Sequence, residues 1–217
     1  MMGMRKVLAV CSMLLTSLLP VTAAHATATE GFDYQVLSPE MGTDSGKKIE
    51  VAEFFWYRCP HCYHLEPGLN TWLKTLPKDV AIRRIPAVLN DSWAQLAKAY
   101  YAMEALGVAD KYHDALFKAI HEDGLDVTKD AILFDWAAKV GMDRKAFIAA
   151  YQSFGVQSKV MRANQLTRDS KITGVPSFVV DGTYVTSESM TGTEEGLFKT
   201  LDDLIVKVRK ERQHHTK

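Results

Sequence analysis

Residues 49–57, IEVAEFFWY, form an almost unbroken β-branched and aromatic run that leads, one residue later, into Cys59-Pro60-His61-Cys62. A run of that kind suits a strand buried on both faces. Helical spacing follows at once, with Leu65, Leu69, Trp72, Leu73 and Leu76 on one face and Pro77 as a stop. A Cys-x-x-Cys at the joint between a buried strand and a helix is a redox signature when the rest of the chain reads as α/β.

The placement has a physical consequence. The first turn of a helix carries unpaired N–H groups and the positive end of the helix dipole. A thiolate at Cys59 is stabilised there, which lowers its pKa. Pro60 costs nothing in that turn, because the N–H it lacks has no helical partner. His61 adds an N–H or a positive charge near the sulfur. Cys62, one turn inward, is expected to be the more buried thiol that resolves a mixed disulfide, with Cys59 at an exposed tip as the nucleophile. Stabilising the thiolate stabilises the reduced dithiol, so the disulfide becomes the stronger oxidant. About 1.4 kcal/mol corresponds to roughly 30 mV for this two-electron couple.

Other uses of the two cysteines fit less well. A zinc ribbon needs a second cysteine pair or paired histidines, and only His61 and His64 are nearby. A c-type haem needs His after the second cysteine, where this chain has Tyr63. A structural disulfide closing so short a loop constrains the unfolded chain very little.

The remaining pattern supports α/β. Residues 32–37 and 80–86 read as strands. Between 91 and 155 no strand pattern occurs, but four amphipathic stripes do: Trp93–Met103, Tyr112–Ile120, Ile132–Val140 ended by Gly141, and a fourth of Ala146, Phe147, Ala150, Tyr151 and Phe154, with Asp143 as N-cap. A fifth helix is expected over 156–169. Strands at 177–180 and 183–186 flank Asp181-Gly182, a type I′ hairpin turn. A last helix covers 193–212, and His214 and His215 read as a frayed tail. The simplest architecture is a mixed sheet interrupted by one helical insertion.

Composition narrows the function. The 217 residues are 47% hydrophobic and 24% charged, enough to bury a core of one or two domains and too apolar for wholesale disorder. Basic and acidic side chains number 26 each, so the basic excess of a nucleic-acid binder is missing and no nucleic-acid partner is expected. Three cysteines are too few for a disulfide scaffold.

Residues 1–26 have the plan of a cleaved secretory signal: Arg5 and Lys6, an apolar run, then Ala24-His25-Ala26. Cleavage after Ala24 or Ala28 fits equally well. Removal of this segment takes away Cys11, leaving Cys59 and Cys62 alone in the mature chain, whose net charge becomes −2. No second apolar run is long enough to span a bilayer.

The segment Phe54-Phe55-Trp56-Tyr57-Arg58 followed by Cys59-Pro60-His61-Cys62-Tyr63 resembles the active-site segment of the DsbA family, the periplasmic thiol:disulfide interchange proteins of Gram-negative bacteria. The signal segment, the helical insertion and Gly174-Val175-Pro176 strengthen the resemblance, which extends over essentially the whole mature chain.

The resemblance implies an α/β thioredoxin fold, a mixed central sheet flanked by helices, with an inserted all-α domain. The implied divisions are thioredoxin segments at 27–87 and 161–217 and an insertion at 88–160. It implies that Pro176 is a cis-proline facing the disulfide and that the Val175 backbone pairs with an extended substrate peptide. It makes Glu53, an acid within an apolar strand, a proton acceptor for Cys62, paired with Arg84; family members commonly carry Lys near that position. It implies a periplasmic dithiol oxidase with no cofactor or metal beyond the Cys59–Cys62 disulfide, acting as a monomer on reduced secreted proteins and reoxidised by a DsbB-like membrane protein. Tyr63, Leu65, Trp56 and Tyr57 are expected to form an apolar surface for unfolded clients, and His64 to be a solvated helix residue. The rivals are an isomerase or reductase on the same fold and a non-catalytic binding module. A DsbC-type isomerase carries an extra dimerisation domain, for which no segment here has the length.

Overall fold

The computed structural model describes residues 27–215; the expected signal segment, with Cys11, lies outside the described residues. Five strands form one mixed sheet in the order β1-β5-β4-β2-β3. Strand β2 (Ile49–Phe55) is central and buried along its whole length, as its near-continuous apolar run suggests, with Glu50 and Glu53 buried in it. It pairs in parallel with β3 (Val80–Pro86) and antiparallel with β4 (Ser177–Val180). β4 turns through Asp181-Gly182-Thr183 into β5 (Tyr184–Thr186); Val180 pairs with Tyr184, so the connection has three residues and β5 begins one residue later than expected. Asp181 and Gly182 have φ of 52° and 70°, the positive values a type I′ turn needs. Gly182 also lies so close to the Met41 carbonyl that no Cβ would fit there.

The first expected strand is much shorter than its pattern. Only β1 (Gln35–Val36) pairs, on the outer edge against β5. Helix α1 (Pro60–Leu73) follows β2 and ends before Leu76 and Pro77, capped at Lys74. The crossover from β2 through α1 to β3 is the usual way of joining parallel neighbours.

The helical region begins after β3. A short 3₁₀ turn (Asp91–Trp93) leads into α2 (Ala94–Ala105), α3 (Ala109–His121), α4 (Asp130–Lys139) and α5 (Arg144–Tyr151). Asp143 caps α5 by accepting from the Ala146 N–H, as its position suggested. Helix α6 (Phe154–Asp169) starts two residues earlier than expected, capped by Ser153. Phe154 therefore leaves the fourth apolar stripe and stands 83% exposed at the head of α6. After β5 come a one-turn helix, α7 (Glu188–Thr191), which no periodicity announced, and α8 (Glu194–His215). The backbone of α8 is helical through His215, so His214 and His215 are not a frayed tail.

Two apolar clusters hold the layers together. One joins Ala52, Phe54, Ile85 and Val179 of the sheet to the helical region through Leu96, Met103, Leu116 and Phe117. The other packs Val51, Phe178 and Val180 against Leu65, Leu69 and Trp72 of α1 and Leu197, Leu201 and Leu204 of α8. Val51 and Ala52 thus point into different cores, which explains why β2 shows no polar alternation. The architecture is the thioredoxin fold with an all-α insertion.

Candidate active site

The joint between β2 and α1 places Cys59 at the N-cap of α1, with φ −82° and ψ 116°, and Pro60 in the first helical turn. The Cys59 sulfur does the work of a capping oxygen: it accepts from the Cys62 N–H at 3.4 Å. Both cysteines are free thiols. Cys59 is 8% exposed and Cys62 1%. The order of burial is as expected, but Cys59 is not at an exposed tip, because the Val175 loop covers it.

The two thiols are driven apart in acidity. The Cys59 pKa is lowered to about 6, first by a hydrogen bond from the Cys62 thiol, then by the N–H groups of Cys62 and His61 and the His61 charge, against the opposing effect of burial. Burial pushes the Cys62 thiol well up, and its hydrogen bond to Cys59 and the nearby charges of Cys59 and Glu53 add to this. The His61 side chain is exposed beside the sulfur, and Pro60 is exposed next to it.

The Val175-Pro176 peptide bond is cis. The Val175 carbonyl accepts from the Cys59 thiol at 3.3 Å, so this backbone already stands against the reactive sulfur. A cleft of about 610 Å³ runs beside it, lined by His61, Gly174, Val175, Pro176, Ser187 and Glu188 among others.

Behind Cys62 lies a buried charge network. Glu53 is 1% exposed, so it does not face solvent at the sheet end. The parallel register puts Arg84 directly opposite it, and Arg84 Nε donates to Glu53 Oε2 at 3.1 Å. Arg84 also donates to Glu66 Oε2 at 3.4 Å and to Asn70 Oδ1 at 3.3 Å. One guanidinium thus serves two buried carboxyls. Burial, and then the like charge of Glu66, raise the Glu53 pKa to about 7 in spite of Arg84. Burial likewise raises Glu66 to about 7. A buried acid that titrates near neutrality suits proton exchange with a thiol.

Sequence reading missed three members of this network: Glu66, Asn70 and His113. Glu66 sits one helical turn beyond Cys62, and that spacing was its only local signal. His113 Nε2 lies 3.2 Å from Glu66 Oε1, and its Nδ1 lies 2.8 Å from the Tyr57 hydroxyl. Burial lowers the His113 pKa to about 4, so the ring is neutral. Glu66, His113 and Asp114 offer ligand atoms within 4.8 Å of one another, but the first two already bond Arg84, Tyr57 and each other.

The expected apolar client surface is only partly present. Tyr57 and Leu65 are core residues. Tyr63 is half-buried, stacks on His121 at 4.8 Å and donates its hydroxyl to Glu122. Trp56 stacks on Trp93 with centroids 4.0 Å apart, and its indole N–H has no partner among the described residues. His64 is exposed, as expected.

The chain is similar to known proteins over most of its length. Residues 50–197 match the DSBA-like thioredoxin domain family. The thiol:disulfide interchange protein DsbA of Bordetella parapertussis is 40% identical over 189 residues, covering 86% of this chain and 90% of that relative. Its namesake in Pseudomonas aeruginosa is 34% identical over 206 residues, covering 95% and 98%. The crystal structure of Pseudomonas aeruginosa DsbA superposes with a TM-score of 0.81 at 35% identity, covering 88% of this chain and 97% of that one.

Proposed function

The chain belongs to the DsbA-like thioredoxin domain family and is a thiol:disulfide oxidoreductase, and from that premise we propose that it oxidises dithiols in reduced, folding secreted proteins of the periplasm. The observation that carries the direction of the reaction is the split between the two thiols: an acidified Cys59 held against the Val175 backbone, and a buried Cys62 held neutral.

The steps balance as follows. A client thiolate attacks the Cys59 sulfur of the Cys59–Cys62 disulfide. The S–S bond breaks, Cys62 leaves as a thiolate, and the client is joined to Cys59. The proton Cys62 then takes comes from the Glu53 carboxyl behind it. A second client thiolate attacks its own mixed disulfide, and Cys59 leaves as a thiolate that the helix terminus and His61 stabilise. The client loses two electrons and the Cys59–Cys62 pair gains them. The client strand pairs with the Val175 backbone beside cis-Pro176, where the open cleft leaves room for it. The redox couple is the cysteine pair itself, so the reading calls for no cofactor.

The rest of the proposal follows the family. A DsbB-like membrane protein would reoxidise the pair, and the protein would act as a monomer. No helix among the described residues is long and apolar enough to cross a membrane. The first division, between 87 and 88, is supported by the lack of any strand between Pro86 and Ser177 among the described residues, whereas α6 (Phe154–Asp169) runs unbroken across the second, between 160 and 161, and does not support a boundary at that point.

The test is oxidation of a reduced dithiol peptide by a stoichiometric amount of the disulfide form. Wild-type protein is expected to transfer its disulfide, and Cys59→Ala, which cannot form one, to transfer none. The Cys59 thiolate of reduced Cys62→Ala is expected to attack the oxidised form of the peptide, displacing one peptide thiolate and leaving a mixed disulfide that no Cys62 can resolve. A wild-type protein that reduces disulfides but does not oxidise the peptide would overturn the reading.

A further inference from the structure

Helix α3 reaches the redox centre through a residue that the scheme above does not use. His113 is 2% exposed and spans the space between Tyr57, two residues before Cys59, and Glu66 on α1. A carboxylate can only accept hydrogen bonds, so the Nε2 that faces Glu66 must carry the proton. The neutral ring then accepts from the Tyr57 hydroxyl at Nδ1, and this second bond holds the ring in the donating tautomer. His113 therefore gives Glu66 a fixed neutral donor on one oxygen while Arg84 holds the other.

We propose that His113 is a positioning residue for the oxidase reaction: by keeping Glu66 ionisable and turned toward Arg84, it divides that guanidinium between two carboxyls and so keeps Glu53 able to carry the proton that Cys62 needs. This inference rests on the proposed dithiol-oxidase reading.

The charge count gives the mechanism. One Arg84 cation faces two buried carboxyls, so the fully ionised cluster carries an excess negative charge. Burial and Glu66 are the two largest influences raising the affinity of Glu53 for a proton. Removing the donor of Glu66 leaves a buried carboxylate with fewer hydrogen bonds, and such a group neutralises. Glu53 then keeps Arg84 without a competing negative charge and holds its proton less tightly. Less of it is protonated at a given pH above neutrality, so the leaving Cys62 thiolate is quenched more slowly and more often attacks back. The other groups that act on this cluster are Asp110 and Asp114 on α3, Tyr100 on α2 and Asn70 on α1. None of them is altered in the variants below.

The experiment is the pH profile of stoichiometric dithiol-peptide oxidation by the full mature protein. His113→Phe is expected to move the alkaline limb to lower pH by about one unit, the size of effect expected when a carboxyl loses a like-charged neighbour. His113→Gln, whose amide can donate to Glu66 and accept from Tyr57, is expected to restore the wild-type limb. Glu66→Gln is expected to shift the limb as His113→Phe does, and the double variant no further than Glu66→Gln alone. If His113→Phe does not fold, His113→Asn replaces it, because that amide is too short to span both partners. A limb that stays at the wild-type position in both the His113 and the Glu66 variants, while the wild-type protein oxidises the peptide, would overturn the inference and leave the oxidase reading intact. Additive shifts in the double variant would also overturn it. Failure of the wild-type protein to oxidise the peptide would overturn the reading itself.

Discussion

The backbone carbonyl of Val175 lies 3.3 Å from the sulfur of Cys59, although the two residues are 116 positions apart in the chain. That contact brings the end of one strand connection onto the N-cap of another element's helix. It shields one side of the sulfur while the helix N–H groups stabilise its charge. The acidity of Cys59 is set within the helix turn, by Cys62 and His61, while the Val175 carbonyl limits access to the sulfur.

The two thiols should be chemically distinct. In the reduced protein, alkylation of Cys59 is expected to reach half its limiting rate near pH 6, while Cys62 reacts slowly throughout the same range. Mass-spectrometric mapping of the labelled cysteine as a function of pH checks this. Equal rates at pH 6 would contradict the assignment of Cys59 as nucleophile.

His61 acts on Cys59 through its backbone N–H and through its charge, and both effects are smaller than the hydrogen bond from Cys62. His61→Ala removes only the charge and is expected to raise the Cys59 pKa slightly. His61→Pro removes the N–H as well and is expected to raise it further, in a helical turn that tolerates proline. Both variants should be weaker oxidants, at roughly 30 mV for each 1.4 kcal/mol of lost thiolate stabilisation. Equilibration with glutathione measures the order; a His61→Pro potential equal to wild type would show that the Cys62 bond alone sets the poise.

Redox state and stability should be linked. The Cys59 pKa falls from 9.0 to about 6 on folding of the reduced protein. A depressed pKa stabilises the fold fully above the unfolded value, and that stabilisation is lost as pH falls through the folded one. At pH 7 the reduced form therefore keeps a gain on the order of 1 kcal/mol, allowing for solvent at the partly open sulfur. The disulfide has no such charge, and its short loop restrains the unfolded chain little. Reduced protein is expected to have the higher urea midpoint at pH 7, with the difference vanishing toward pH 5. A higher midpoint for the oxidised protein at pH 7 would point to a structural disulfide.

Among the described residues, Arg84 is the one cation that hydrogen-bonds both Glu53 and Glu66. Arg84→Met leaves two buried carboxyls without it, and breaking a buried pair in this way costs about 3–5 kcal/mol. Arg84→Lys keeps the charge but loses the fork that reaches both acids, and should cost less. Urea unfolding at pH 7 separates the two. Because the orphaned acids can neutralise, the Arg84→Met deficit is expected to shrink at pH 5. A deficit that does not change between the two pH values would mean that packing, not charge, is lost.

Local chemistry is what the amino-acid order determines by itself. The near-continuous apolar run in β2, the stripes of α2 to α5, the Asp143 cap and the Asp181-Gly182 pair depend on residues within a few positions of one another, and, Phe154 apart, each stands where its pattern placed it. The Cys59 cap is of the same kind, because the sulfur, Pro60 and the Cys62 N–H share a single helical turn. The pairing of Glu53 with Arg84 was suggested by the family resemblance, and the parallel register of β2 and β3 supplies its geometry.

Tertiary structure decided the rest. Tyr57 and Leu65 looked available to clients, but they are buried because α3 and α8 close over them, and no local pattern says which neighbour covers an apolar face. Phe154 went the other way: it fits the stripe of α5 in spacing, but the Ser153 cap starts a new helix and turns it to solvent. His113 carried no signal of its own. Its partners Tyr57 and Glu66 lie 56 and 47 residues away, and only the packing of α3 against α1 and the end of β2 brings them within hydrogen-bond distance. Periodicity and capping report on the backbone within a turn or two. The charge network behind Cys62 depends on which side chains share one dry space, and that is settled only when the layers pack.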